Sequence, residues 1–162
     1  MIVVSDTSPI TYLIQIDSLH LLSLLYQKII IPQEVYNELL KKHDTVNDVL
    51  QLGIEKGWVE ISDIVNRKLY ESLLLEIDPG ESAAITLAIE KNADLLLIDE
   101  RKGNQKAAEF NIKSKGVLGI LAEAKKQHLI PSFTKVLMQL TEQTNFRISK
   151  NLLTQLINTF ND

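Results

Sequence analysis

Ile2-Val3-Val4-Ser5-Asp6 is a short apolar run closed by an aspartate, and Leu95-Leu96-Leu97-Ile98-Asp99 repeats the pattern far downstream. Runs this short, rich in Ile, Val and Leu and without clean alternation, read as strands of a parallel sheet covered by helices on both faces. If the two lie side by side, their aspartates meet at one edge of the sheet, where open α/β folds place their ligands. A third acid, Glu81, sits in the helix start Asp78-Pro79-Gly80-Glu81. Carboxylates gathered this way repel one another unless a cation sits among them. The pattern therefore points to a hard divalent metal with oxygen ligands, a common arrangement for chemistry on phosphodiesters.

Working outward, strands are expected at Ile2 to Ser5, Lys28 to Ile31, Trp58 to Ile61, Leu95 to Ile98 and Ile112 to Ser114, alternating with helices. Such alternation predicts a three-layer α/β/α domain around a parallel sheet of about five strands, order 3-2-1-4-5. That order makes strands 1 and 4 neighbours at the switch point, so Asp6 and Asp99 face each other. Ser8 and Pro9 predict one helix start and Pro32 another, whose Val35, Leu39 and Tyr36, Leu40 repeat at four-residue spacing with Glu38 beside them. Further helices are expected over 46–56, 64–77, 101–110 and 117–126. The segment from Gly80 to Lys91 is apolar almost all round and must be largely buried. Two amphipathic segments within 131–161, with stripes at Phe133, Val136, Leu137, Leu140 and at Leu152, Leu153, Leu156, Ile157, Phe160, either complete the core of a single 1–162 domain or support association.

The 162 residues include no cysteine, which excludes disulfides and thiolate metal sites. Apolar runs are too short to span a bilayer and Met1 leads straight into the first strand, so a soluble cytoplasmic protein with no membrane association is expected. The net charge of −4 is unevenly spread: 7 basic and 17 acidic residues through Glu100 give −10, and 10 basic and 4 acidic from Arg101 onward give +6. An acidic half suits cations and a basic half suits a polyanion, although both also read as ordinary solvated faces. His20, His43 and His128 show no metal-ligand spacing.

Each acid also has a purely structural reading. Asp6 can hold an Asx turn ahead of Ser8-Pro9. Asp78, Pro79 and Glu81 fit a capping box, with Glu81 reaching back from the third position. Asp99 can cap the helix from Arg101, and Glu38 can pair with Lys42 one turn on. Capping explains why each residue is acidic, but not why acids follow strands that lie side by side.

Ser5-Asp6-Thr7-Ser8-Pro9, the segment from Ile31-Pro32-Gln33-Glu34 to Glu38-Leu39, Asp78-Pro79-Gly80-Glu81-Ser82-Ala83-Ala84-Ile85 and Leu96-Leu97-Ile98-Asp99-Glu100-Arg101 together resemble PIN-domain proteins. The similarity is to a prokaryotic PIN-like branch related to the VapC toxin ribonucleases, and Gly116-Val117-Leu118-Gly119 and Phe146-Arg147-Ile148-Ser149 fit the same branch.

The resemblance implies an Mg2+- or Mn2+-dependent endoribonuclease whose acidic quartet falls on Asp6, Glu38, Glu81 and Asp99. Asp6, Glu81 and Asp99 would be metal ligands, with Thr7, Ser8 and Asp78 orienting them from behind. Arg101, Lys102 and Lys106, with Lys113 and Lys115 beyond, are candidates for RNA phosphates. The family also implies a homodimer and a small antitoxin protein that blocks the acidic pocket, and leaves open whether Glu100 joins the site. Ile98 stands where many PIN nucleases carry a small hydroxyl residue. The alternative is a catalytically weak PIN-like module that binds nucleic acid or a partner. A haloacid-dehalogenase-type phosphatase fits poorly, because its second aspartate is expected where Ser8 stands.

Overall fold

The computed structural model describes residues 1–42 and 44–162; His43, one of the three scattered histidines, lies outside the described residues. Five short strands, β1 (Val3–Ser5), β2 (Ile29–Pro32), β3 (Val59–Ser62), β4 (Leu95–Leu97) and β5 (Ser114–Lys115), form one parallel sheet in the order β3-β2-β1-β4-β5. The registers Val4 with Ile30 and Ser5 with Leu97 put the carboxyl ends of β1 and β4 level. This is the expected order, with the switch point between β1 and β4.

Helices α1 (Thr7–Gln15), α2 (His20–Tyr26), α3 (Gln33–Leu40), α4 (Asp44–Glu55), α5 (Arg67–Leu73), α6 (Pro79–Glu90), α7 (Arg101–Glu109), α8 (Val117–Lys126), α9 (Phe133–Gln143) and α10 (Lys150–Phe160) complete the chain. The strands' two-residue period divides the core. Val3, Leu95 and Leu97 face one cluster, with Ile10 and Leu13 of α1, Ile120 of α8 and Phe133 of α9. Val4, Leu96 and Ile98 face the other, with Ala84, Ile85 and Leu87 of α6. No helix among the described residues is long and apolar enough to cross a membrane.

Helix α6 is buried from Gly80 through Ala88, as its nearly all-apolar sequence requires. Its small residues let it lie close against the strands. Burying Ile85 or Leu87 contributes about 1.5–3 kcal/mol each, and Ala84→Asp would put an unpaired charge in the same layer. Asp78 caps the helix, accepting the Glu81 N–H at 2.8 Å with Pro79 in the first turn.

Several local expectations shift. Helix α1 begins at Thr7 with Asp6 in the capping position, so Ser8 is its second residue rather than its cap. Pro32 ends β2 and precedes α3. The helix expected over 64–77 shortens to α5. The Glu90 carboxylate draws in the N–H groups of Val65 and Asn66 at 2.7 and 2.5 Å, and the Asn66 side chain then caps α5 at Leu69. Helix α2 had no counterpart in the sequence reading, since the run Leu21-Leu22-Ser23-Leu24-Leu25 is too short for its period to separate helix from strand.

Helix α9 packs on α8 and α1, and α10 on α9. Leu153, Leu156, Ile157 and Phe160 lie against the core, Phe160 stacked on Phe133 at 4.0 Å, while Leu152 stays exposed. Asp162 closes the arrangement: its carboxylate accepts the N–H groups of Phe133 and Thr134 at 2.7 and 3.0 Å and pairs with Lys125 at 2.9 Å.

Candidate functional site

Parallel strands followed by helices aim helix N-termini at the carboxyl edge of the sheet, and here three acids stand at those termini. Asp6 precedes α1 and is only 2% exposed; its N–H donates to Leu97 O at 2.9 Å, stitching the end of β1 to β4. Glu81, 5% exposed, lies in the first turn of α6. Asp99 leaves β4 one residue beyond Ile98, and its Oδ1 accepts the Val117 N–H of α8 at 3.0 Å. It thus caps α8 rather than the Arg101 helix, whose capping position belongs to Glu100. The fourth acid, Glu38 of α3, accepts a hydrogen bond from Thr7 Oγ1 at 2.6 Å. That bond, and not a pairing with Lys42, fixes it.

Three of these carboxylates rest against glycines. A Cβ at Gly80 would stand 2.7 Å from Glu38 Oε1, one at Gly103 would stand 2.6 Å from Glu81 Oε2, and one at Gly116 would stand 2.5 Å from Asp99 Oδ1. The glycines were not singled out from the sequence. Gly103 was the readable one, because a glycine inside a helix costs about 1 kcal/mol against alanine and so asks for a packing reason.

Burial sets the charge state. It pushes Asp6 up to about 7, against a partial offset from the Thr7 amide, with repulsion from Asp78, Glu38 and Asp99 adding to the rise. Glu81 is driven well above the usual carboxylate range by burial and then by the adjoining Asp78 side chain, with Asp6 and Glu100 contributing. Asp99 rises to about 6, again chiefly through burial, which the Val117 amide opposes and Glu100 reinforces. Helix dipoles favour anions here by roughly 0.3–1 kcal/mol each, too little to offset desolvation on this scale. The edge is short of positive charge.

Two oxygens sharpen that point. Glu81 Oε2 and Asp99 Oδ2 are buried and without a hydrogen-bond partner, and such atoms are costly unless something occupies them. A divalent cation fits this donor set, all hard carboxylate oxygen. Among the described residues no three His, Asp or Glu side chains converge tightly enough to form a ready-made cage. The arrangement therefore suits an ion that takes few protein ligands and keeps water, as Mg2+ does.

The remaining candidates divide. Thr7 orients Glu38, and Asp78 both caps α6 and abuts Glu81. Ser8 lines a separate cleft on the α1 side. Lys102 is exposed and lines a hollow of about 370 Å³ with Asp78, Glu81 and Glu100, so Glu100 stands at the rim of the acidic site. Arg101 is exposed at the start of α7. Lys106 is held between Glu76 and Glu109 at 2.7 and 2.9 Å, and Lys115 lies 3.9 Å from Glu123.

Comparison with known proteins bears on the family and the fold. A family model described as PIN domain matches residues 2–162. One solved chain, from the crystal structure of VapBC2 from Rickettsia felis bound to a DNA fragment from their promoter, aligns with a TM-score of 0.51 at 24% identity. The alignment covers 72% of this chain and 98% of that one, and at such identity the likeness is one of fold. No curated protein matches.

Proposed function

On the premise that the chain belongs to the PIN-domain family, we propose that it is an Mg2+- or Mn2+-dependent endoribonuclease, acting through Asp6, Glu38, Glu81 and Asp99. The observation that carries this reading is the pair of unpartnered buried oxygens, Glu81 Oε2 and Asp99 Oδ2, beside an almost inaccessible Asp6. Carboxylates kept this dry, with their charges uncompensated, suit a cation better than they suit helix capping.

In this reading Asp6 and Asp99 are the principal metal ligands, Glu81 completes the site directly or through bound water, and Glu38, fixed by Thr7, reaches it through water. A bound divalent ion supplies an activated water and offsets charge on the phosphodiester. The protein's part is to present the acids toward the metal, whose charge would favour the ionised forms that burial alone disfavours, to hold Glu38 as an acceptor for water, and to hold the strand. No side-chain nucleophile is required, in keeping with the absence of cysteine. Lys102 lines the acidic hollow and Arg101 is exposed at the start of α7, which supports them as phosphate contacts, whereas Lys106 is already engaged by two carboxylates.

We extend the proposal to the setting: a cytoplasmic toxin of a toxin–antitoxin pair, held by a small antitoxin protein and active as a homodimer. The likeness to a chain of a VapBC2 crystal structure supports the antitoxin pairing, and the homodimer and cytoplasmic setting are carried by the family reading alone. The alternative is a binding module without useful turnover, in which the acids serve as helix caps, as Asp78 does for α6 and Asp99 for α8.

Cleavage of single-stranded and structured RNAs in Mg2+ or Mn2+ tests the main reading. Wild type is expected to cut, and Asp6→Asn and Asp99→Asn to lose at least a hundredfold while keeping their circular dichroism spectra. Equal cleavage by those variants would place the activity elsewhere.

A further inference from the structure

Beside the acidic edge runs a second cleft, of about 520 Å³, whose chemistry differs from everything around it. One wall is the face of α1 formed by Ser8, Thr11, Tyr12 and Gln15, the i, i+3, i+4, i+7 stripe that follows directly from Asp6 and Thr7. Another wall is the end of α9 and the connection that follows it, with Gln143 and then Thr144 and Asn145. The charged members are Lys42 and Glu100, one of each sign, so the cleft is close to neutral.

Both walls are fixed. Thr144 Oγ1 donates to Leu140 O at 2.5 Å and accepts the Phe146 N–H at 3.0 Å, which sets the turn after α9. The Phe146 ring meets Tyr12 edge to face, centroids 5.3 Å apart at 87°, and this contact ties the connection to α1. Glu100 lines both this cleft and the hollow that holds Glu81 and Lys102. The half-buried Tyr12 lines the cleft, and its hydroxyl offers a hydrogen-bond donor there.

A neutral, amide-lined cleft is poorly suited to gripping phosphates. It is well suited to base edges, because Gln and Asn offer donors and acceptors side by side. We propose that this cleft is a base-recognising subsite of the acidic site, taking one unpaired nucleotide of a single-stranded RNA adjacent to the bond cut, with Tyr12, Gln15, Gln143 and Asn145 as its specificity-determining residues. The inference rests on the ribonuclease reading for its substrate. It adds that sequence preference is set by α1 together with the end of α9 and the residues just after it, the latter far along the chain from the acids.

The test separates the two. Binding of short fluorescent single-stranded RNAs, identical but for the base at each position in turn, is measured by anisotropy with Asp6→Asn protein, which cannot cut. A preference of about tenfold or more for one base at one position is expected, the size of a good amide-to-base contact. Gln143→Ala with Asn145→Ala, both exposed and outside the core, is expected to reduce it to within about twofold while leaving the salt dependence of binding unchanged. Lys102→Ala is expected to weaken all sequences alike. Absence of any base preference, a preference that survives the double substitution, or a cleft that takes peptide with no base dependence overturns the subsite. Base-dependent binding lost in the double variant, together with no cleavage by wild type, overturns only the nuclease reading.

Discussion

Gly103 of α7 faces the Glu81 carboxylate so closely that a Cβ there would stand 2.6 Å from Oε2 and 2.5 Å from Ile98 Cδ1. Gly103→Ala is expected to leave overall stability nearly unchanged, since helix propensity returns about 1 kcal/mol while the displaced groups cost a similar amount. The same shift moves Glu81, so cleavage and Mn2+ affinity are expected to fall at least tenfold. Thermal melts beside metal titrations check this, and a variant with full metal affinity would show that Glu81's position is not set by Gly103.

Stability without metal should depend on pH in a particular direction. Asp6 titrates near 7 and Asp99 near 6, both above the ordinary 3.8. Below about 4 both groups are protonated folded and unfolded alike and burial costs nothing. From about pH 4 the groups ionise when unfolded but stay protonated when buried, so stability falls with rising pH until they ionise in the folded protein as well, at about 6 and 7. The metal-free midpoint is therefore expected to be higher at pH 5 than at pH 8. An unchanged or reversed order in chelator-treated protein would contradict these shifts.

Removing the charge should mimic acid. Asp6→Asn is expected to stabilise the metal-free protein at pH 8 by on the order of 1–3 kcal/mol, read as a higher melting temperature, while abolishing turnover. Millimolar Mn2+ should then raise the wild-type midpoint at pH 8 and leave the Asp6→Asn midpoint little changed. Differential scanning fluorimetry with and without Mn2+ reads both.

Lys102 and Lys106 lie one helical turn apart with different surroundings. Lys102→Ala is expected to weaken RNA binding and to flatten its salt dependence by about 0.7 in log–log slope, the value for one single-strand phosphate contact. Lys106→Ala, whose ammonium is already paired with Glu76 and Glu109, should change the slope by much less. Binding isotherms at several salt concentrations distinguish them.

Asp162 ties Lys125 to the start of α9, and strong hydrogen bonding holds its carboxyl below the usual range. Its stabilisation is therefore present above about pH 4 and lost only in strong acid. Asp162→Ala is expected to lower the melting temperature and to speed proteolysis in α10. The acidic edge is remote from this contact, and unaltered proteolysis would show that α10 is held by Phe160 and its apolar neighbours alone.

Much of the fold was legible because the deciding signals are local. Short runs of Ile, Val and Leu closed by Asp6 and Asp99, alternating with helical periods, specify a doubly wound parallel sheet and its order. The all-apolar α6 announces its burial. What failed was detail at helix starts, where the partner lies elsewhere in the chain: Asp99 caps α8 instead of its own neighbour, and Glu90 delays α5 by taking two N–H groups from a distant segment.

Residue types and spacing alone determined the strand order, the acids at the carboxyl edge and the exclusion of thiolate chemistry, since these depend on side-chain chemistry and periodicity. Only the tertiary structure decided which carboxylate oxygens are left without partners, which glycines make room for them, and that α1 and the α9–α10 connection enclose a neutral cleft beside them. Those properties belong to distances between residues far apart in sequence, and burial, which raises the acids' proton affinity, exists only once the layers have closed around them.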